Sequence, residues 1–236
     1  MKVAIMQPYF APYIGYISLI KHTDQFILFD PVQFIRHGWI ERNRILKQNE
    51  GWMYIQVPLV KASRNTVIKE LLINNDIDWK SKIIAQLQPY KKIATNYYKV
   101  IQLISKIFEQ EFTSIVKLDQ AFLEAVCDYL GFPKKLQVFS EMDIEIDTPN
   151  AADEWALNIC KKLGDSITYI NPIGGLEFFD RNKYTNNNIT ILFQKMKIEE
   201  YDQKRMLFEP GLSIIDILMF NSIEEINSML DQYELI

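Results

Sequence analysis

Cysteine and histidine are nearly absent: Cys127, Cys160, His22 and His37 are the full complement in 236 residues. That scarcity, with no regular ligand spacing, excludes a disulfide-stapled scaffold and a Cys/His zinc centre, so no metal site is expected. Both cysteines fall within apolar helical patterns, where a buried thiol is favoured over a disulfide between them. Glycine is also scarce, with 8 residues against a usual share of ~7%. No run approaches the ~18 uninterrupted apolar residues of a membrane helix, so no integral membrane segment is expected. The apolar run 3–6 is too short for a signal peptide. Neither a G-x-S-x-G elbow nor a G-x-x-x-x-G-K-S/T loop occurs, which removes the motifs of serine hydrolases and P-loop enzymes.

What is present suits a folded protein. Hydrophobic residues make up 48% and charged residues 24%, the balance of an ordinary globular chain. Lys and Arg number 26 against 30 Asp and Glu, for a net charge of -4. A surface of that sign does not attract nucleic acid, so no nucleic-acid partner is expected and any anion must be bound locally. The expected location is cytoplasmic, with reduced thiols.

Apolar runs at 3–6 and 26–29 read as buried strands, and the apolar side at Ile14 and Ile17 reads as a short helix between them. The pattern predicts a βαβ unit with parallel strands, whose ligands bind beyond the strand C-termini. Residues 31–49 look irregular, whereas 52–58 and 66–71 look extended. Helical spacing then takes over around 79–87, at Tyr97, Val100, Ile104 and Phe108, and at Ile115, Leu118, Phe122 and Tyr129. Strands are expected at 136–139, 167–170 and 189–193, and a helix at 150–163. Two final helices, opened by Ser213 and by the Ser222/Glu225 capping box, should pack back on the sheet. The expectation is one α/β domain over 1–236, a Rossmann-like parallel sheet near the N-terminus with an inserted helical subdomain at about 77–131.

Three segments carry candidate chemistry. Gln7, Tyr9, Gly15 and Tyr16 lie between a strand end and a helix start, where two prolines stiffen the loop and free N–H groups meet anions. Residues 33–47 set four cations (Arg36, Arg42, Arg44 and Lys47) against Glu41 alone. In that window Gln33, Arg36, Asn43 and Arg44 suit phosphate or carboxylate, and Trp39 suits stacking on a base or sugar ring. Asn171, Gly174 and Gly175 form a turn after a strand whose backbone donors suit an oxyanion. Ser213 reads as a helix cap rather than a nucleophile, and Asp216 as a carboxylate at a helix N-terminus.

The runs Met6-Gln7-Pro8-Tyr9-Phe10 and Pro12-Tyr13-Ile14-Gly15-Tyr16 open a longer pattern. Asp30 follows with Val32-Gln33-Phe34, then Gly38-Trp39-Ile40 and Arg42-Asn43-Arg44-Ile45. Asn171-Pro172-Ile173-Gly174-Gly175, Tyr201 with Gln203, and Leu212-Ser213-Ile214-Ile215-Asp216 complete it. Together they resemble the WbqC-like protein family over nearly the whole chain. The resemblance implies a place in bacterial surface-polysaccharide (O-antigen) biosynthesis and a glycine or aminoacyl transferase role. The opening also looks like that of nucleotidylyltransferase-type Rossmann proteins, with Tyr16 where those carry histidine. The reading that follows is acyl or aminoacyl transfer to an amino sugar or nucleotide-sugar, with His37 or Asp30 as general base. Its substrate is a small molecule, phosphorylated or nucleotide-linked. Two alternatives stand beside it: a non-catalytic protein that binds a nucleotide or sugar nucleotide, and an ATP-dependent enzyme that adenylates a carboxylate.

Overall fold

The computed structural model describes residues Met1 to Ile236. Strand β1 (Lys2–Met6), helix α1 (Ile14–Lys21) and strand β2 (Gln25–Leu28) form the βαβ unit legible in the sequence, with β1 and β2 parallel from Val3↔Gln25 to Met6↔Leu28. The chain then leaves the sheet. Strands β3 (Arg42–Leu46) and β4 (Trp52–Gln56) pair with each other, and α2 (Trp79–Gln86), α3 (Tyr97–Phe108) and α4 (Ile115–Tyr129) follow. It returns as β5 (Gln137–Val138) beside β2. Helix α5 (Glu154–Leu163) leads to β6 (Thr168–Pro172) on the opposite flank of β1, and α6 (Arg181–Thr185) leads to β7 (Thr190–Met196). Helices α7 (Ile214–Phe220) and α8 (Ile223–Leu230) precede β8 (Tyr233–Leu235), which is antiparallel to β7.

The six-stranded order is β5-β2-β1-β6-β7-β8, and all strands except β8 are parallel. Alternate side chains leave opposite faces of such a sheet, so strands covered on both sides must be apolar throughout. Ala4, Leu28 and Ile170 accordingly join a core with α1, α4, α7 and α8. Val3, Ile5, Ile27, Tyr169 and Ile191 join a second core with Leu157 and Cys160 of α5 and Tyr184 of α6. Each large apolar side chain so buried contributes about 1.5–3 kcal/mol. Cys127 and Cys160 are free thiols in different cores.

Three sequence expectations shift. The second half of 31–49 is strand β3, because Asn43 and Ile45 are buried while Arg42 and Arg44 alternate with them. Residues 66–71 hold a single bridge, Gln33↔Val67, before a 3-10 turn over Ile68–Glu70. The helix expected from 150 starts at Glu154, since its carboxylate reaches back to the Asn150 N–H at 2.8 Å. The last helices share a core with sheet residues Ala4, Leu28 and Ile170 and also pack on α1. There Ser18 Oγ donates to Leu230 O at 2.6 Å and accepts from Gln194 Nε2 at 2.6 Å, joining α1, α8 and β7 in a buried chain of hydrogen bonds.

From β1 the chain moves first to β2 on one flank and only later to β6 on the other. The carboxyl ends of β1 and β6 therefore flank the topological switch point, where open α/β sheets bind ligands. No helix is long and apolar enough to cross a membrane.

Candidate functional site

Met6 and Pro172, the last residues of β1 and β6, line a cavity of about 430 Å³ at that switch point. The loop after β1 supplies Tyr9, Pro12 and Tyr13, and α1 supplies Tyr16. Trp39, with Asn43 and Arg44 of β3, forms a second wall. Ile198 and Gly211, near the two ends of the connection from β7 to α7, close the far side.

The loop is held by its own backbone groups. The Phe10 N–H donates to Trp39 O at 3.1 Å, and Asn43 Nδ2 donates to Phe10 O at 3.1 Å. Ser213 Oγ donates to Ala11 O at 2.7 Å while capping α7, and the Ile214 N–H donates to Pro12 O at 2.7 Å. These bonds over-determine Ala11, whose φ of 44° is costly for a residue with a Cβ. Tyr16 Oη donates to Gln7 O at 2.8 Å, and its ring lies 5.5 Å from that of Tyr9. Gly15 is glycine because the Tyr13 ring fills the space a Cβ would take. Burial raises the pKa of Tyr9, Tyr13 and Tyr16, so all three present neutral hydroxyls.

Arg44 is the one charged residue lining the cavity. Its guanidinium lies 5.5 Å from the Trp39 ring and 5.2 Å from the Trp52 ring. Nη2 donates to Gly211 O at 2.9 Å, and the Arg44 carbonyl accepts from the Ser213 N–H at 2.9 Å. Its Nε is buried and has no hydrogen-bond partner.

Behind this wall Asp216 is fully buried. It accepts from Tyr90 Oη at 2.5 Å, from Gln203 Nε2 at 2.9 Å and from Tyr201 Oη. Tyr90 Oη in turn accepts from the Leu46 N–H at 2.8 Å. Burial raises the Asp216 pKa, against the lowering effect of Tyr201, Tyr90 and Gln203. The network ties the 198–211 connection to α7 and β3, and so fixes the far wall beside Arg44. Asp216 thus does more than favour its helix N-terminus.

Tyr9, Tyr16, Trp39, Asn43 and Arg44 of the sequence-expected site meet at the cavity. The other residues lie elsewhere. Gln7 does not line it and gives its carbonyl to Tyr16, and Gly15 lies beneath Tyr13. Gln33 and Arg36 are exposed and donate to Arg64 O at 2.5 Å and Ala62 O at 2.7 Å. Both expected bases are displaced: Asp30 is buried against Ser140, which donates from N at 3.1 Å and Oγ at 2.6 Å, whereas His37 sits on an exposed turn at φ 65°. Asn171 spends its amide on Pro172 O at 3.0 Å and accepts from Tyr169 Oη at 3.0 Å. Gly174 and Gly175 form a 3-10 turn, in which Gly175 leaves room for the Asn171 side chain. Gly174 has open space where a Cβ would stand, and neither glycine lines the cavity. Ile198 carries no sequence signal, while Gly211 belongs to the run before Ser213 that resembles the family pattern.

No group of three or more His, Cys, Asp or Glu side chains is placed to hold a metal ion. The profile of the WbqC-like protein family matches residues 7–228. An uncharacterized protein of Mycobacterium tuberculosis, Rv1507c, is 29% identical over 220 residues, covering 92% of each chain. No solved structure matches the chain significantly.

Proposed function

This chain belongs to the WbqC-like protein family, and from that membership and the cavity at the switch point we propose that it transfers an acyl or aminoacyl group to an anionic amino sugar in bacterial surface-polysaccharide (O-antigen) synthesis. The observation that carries the reading is the pairing of an aromatic wall with Arg44, the one cation that lines the cavity. Tyr9, Tyr16 and Trp39 offer flat apolar faces to a ring, Asn43 and the tyrosine hydroxyls offer polar contacts, and Arg44 offers the charge. Phosphate and carboxylate are both anions that a guanidinium can receive.

The bond formed would be an amide. The amine nitrogen attacks the acyl carbon, and the leaving group departs with its electron pair. No carboxylate or imidazole lines the cavity. The residues therefore act by orienting the substrates and excluding water, a contribution that reaches about 7–11 kcal/mol in well-aligned reactions. The amine proton passes to the leaving group or to solvent. That missing base also favours a second reading, a non-catalytic protein that recognises the same ligand.

Mass spectrometry of an amino sugar incubated with the protein, glycine and ATP separates the two. A mass gain of one aminoacyl unit that depends on the protein supports transfer. Release of pyrophosphate would identify adenylation of the carboxylate. Ligand-induced thermal stabilisation without either change would favour the binding role.

A further inference from the structure

Arg36, Arg42 and Arg44 fall within nine residues of sequence but direct their guanidinium groups to three places. Arg36 donates to Ala62 O, at 2.7 Å. Arg42 lies 4.1 Å from the Tyr54 ring and donates to His37 O and, at 3.2 Å, to Gly38 O. Only Arg44 lines the cavity, so the most cationic window of the chain delivers a single positive charge to it. Of the five N–H donors of its guanidinium, one is spent on Gly211 O. The contacts with Trp39 and Trp52 and the bond to Gly211 fix its plane before any ligand arrives. The orphaned Nε belongs to this held group.

One fixed guanidinium matches one compact anion. A carboxylate has two oxygens in the plane and spacing of the guanidinium edge, and the pair is charge-balanced. A diphosphate brings at least two negative charges, and its second charge would find no second cation in the lining, only neutral polar groups (Asn43 and the tyrosines) among prolines and apolar side chains. Removing a charge from water without compensation is strongly unfavourable. We infer that the cavity selects a ring-bearing monocarboxylate, with Arg44 receiving the carboxylate and the aromatic wall receiving the ring. Resting on the reading of the cavity as the substrate site, this narrows the substrate to an acidic, sugar-sized ring rather than a diphosphate-linked one. Trp52, outside the cavity lining, is a positioning residue for Arg44.

Titration calorimetry on the full chain with glucuronate, glucose, glucose 6-phosphate and UDP-glucose tests the inference. Glucuronate should bind at least ten-fold more tightly than glucose, as a charge-assisted hydrogen bond gives. Glucose 6-phosphate and UDP-glucose should bind no more tightly than glucuronate. Arg44→Ala should abolish the glucuronate preference, and Trp52→Ala should reduce it while leaving glucose binding unchanged. Tighter binding of UDP-glucose or glucose 6-phosphate, equal binding of glucuronate and glucose, a preference that survives Arg44→Ala, or no binding of any probe would each overturn it. Glucuronate selectivity without acyl transfer to any amino sugar would remove the transferase reading and leave this one standing.

Discussion

Asp119 of α4 is fully buried, and neither carboxylate oxygen has a hydrogen-bond partner. Burial, and then the neighbouring Glu41 carboxylate, holds its pKa well above the ordinary value of 3.8. Glu41 is itself raised by burial, and its Oε2 is also without a partner. The folded protein therefore keeps protons that the unfolded chain releases once the pH passes about 4. More protons bound in the folded state means that stability is greatest below the unfolded-state pKa and falls as pH rises toward the folded-state one. Asp119→Asn removes the ionisable group and keeps the shape. An unpaired buried polar group costs about 1–3 kcal/mol, more when charged, and 1 kcal/mol moves Tm by about 2–4 °C in a chain of this size. The variant should thus melt about 2–12 °C above the parent at pH 8, with the gain shrinking toward nothing at pH 4. Calorimetry at pH 4, 6 and 8 reads this directly. Glu41→Gln should repeat the pattern more weakly, and the two gains should fall short of additive because each removal relieves the other acid. A loss of Tm of the same size at every pH would refute the reasoning and show that the Asp119 carboxylate is satisfied.

Tyr90→Phe takes one donor from Asp216 and orphans the Leu46 N–H, at a cost of roughly 2–5 kcal/mol; urea denaturation should find it, and Tyr98→Phe, at 71% exposed, should be neutral. The Cys127 and Cys160 thiols are buried and pushed up to about 12. Ellman's reagent should label neither in the native protein at pH 8 and both in denaturant. Gly15→Ala should displace the Tyr13 ring and weaken ligand binding, while the helix gains about 1 kcal/mol of propensity; binding unchanged by titration calorimetry would argue that the ring makes no ligand contact.

The sequence displays the central βαβ unit because strands buried on both faces are apolar without interruption, as at Val3 and Ile27. Helices α3 and α4 are displayed by their spacing, and α8 by the reciprocal bonds of Ser222 and Glu225. Strand β3 was hidden because its outward positions carry Arg42 and Arg44, which read as a solvated loop. Three-residue β8 was hidden for another reason: an edge strand so short has no period of its own. At the site, residue types were legible and their directions were not. Counting charges places four cations together, but which of them faces the cavity is decided by what holds each guanidinium: Ala62 O for Arg36, the Tyr54 ring for Arg42 and Gly211 O for Arg44. Asp30 and His37 have the right chemistry for a base, yet the first is claimed by Ser140 and the second stands on the surface. Ile198 closes the cavity through topology alone.

The bonds from Ser213 to Ala11 and from Arg44 to Gly211 clasp the beginning of the chain to its last quarter. Closures over such sequence distances form late, after the entropy of the intervening loops has been overcome. A nascent polypeptide that had yet to synthesise α7 would lack a complete cavity, however well its first βαβ unit had formed. Occupancy of the cavity by a small molecule is consequently a certificate of finished folding, and mass action at that one spot would stabilise remote parts of the molecule together.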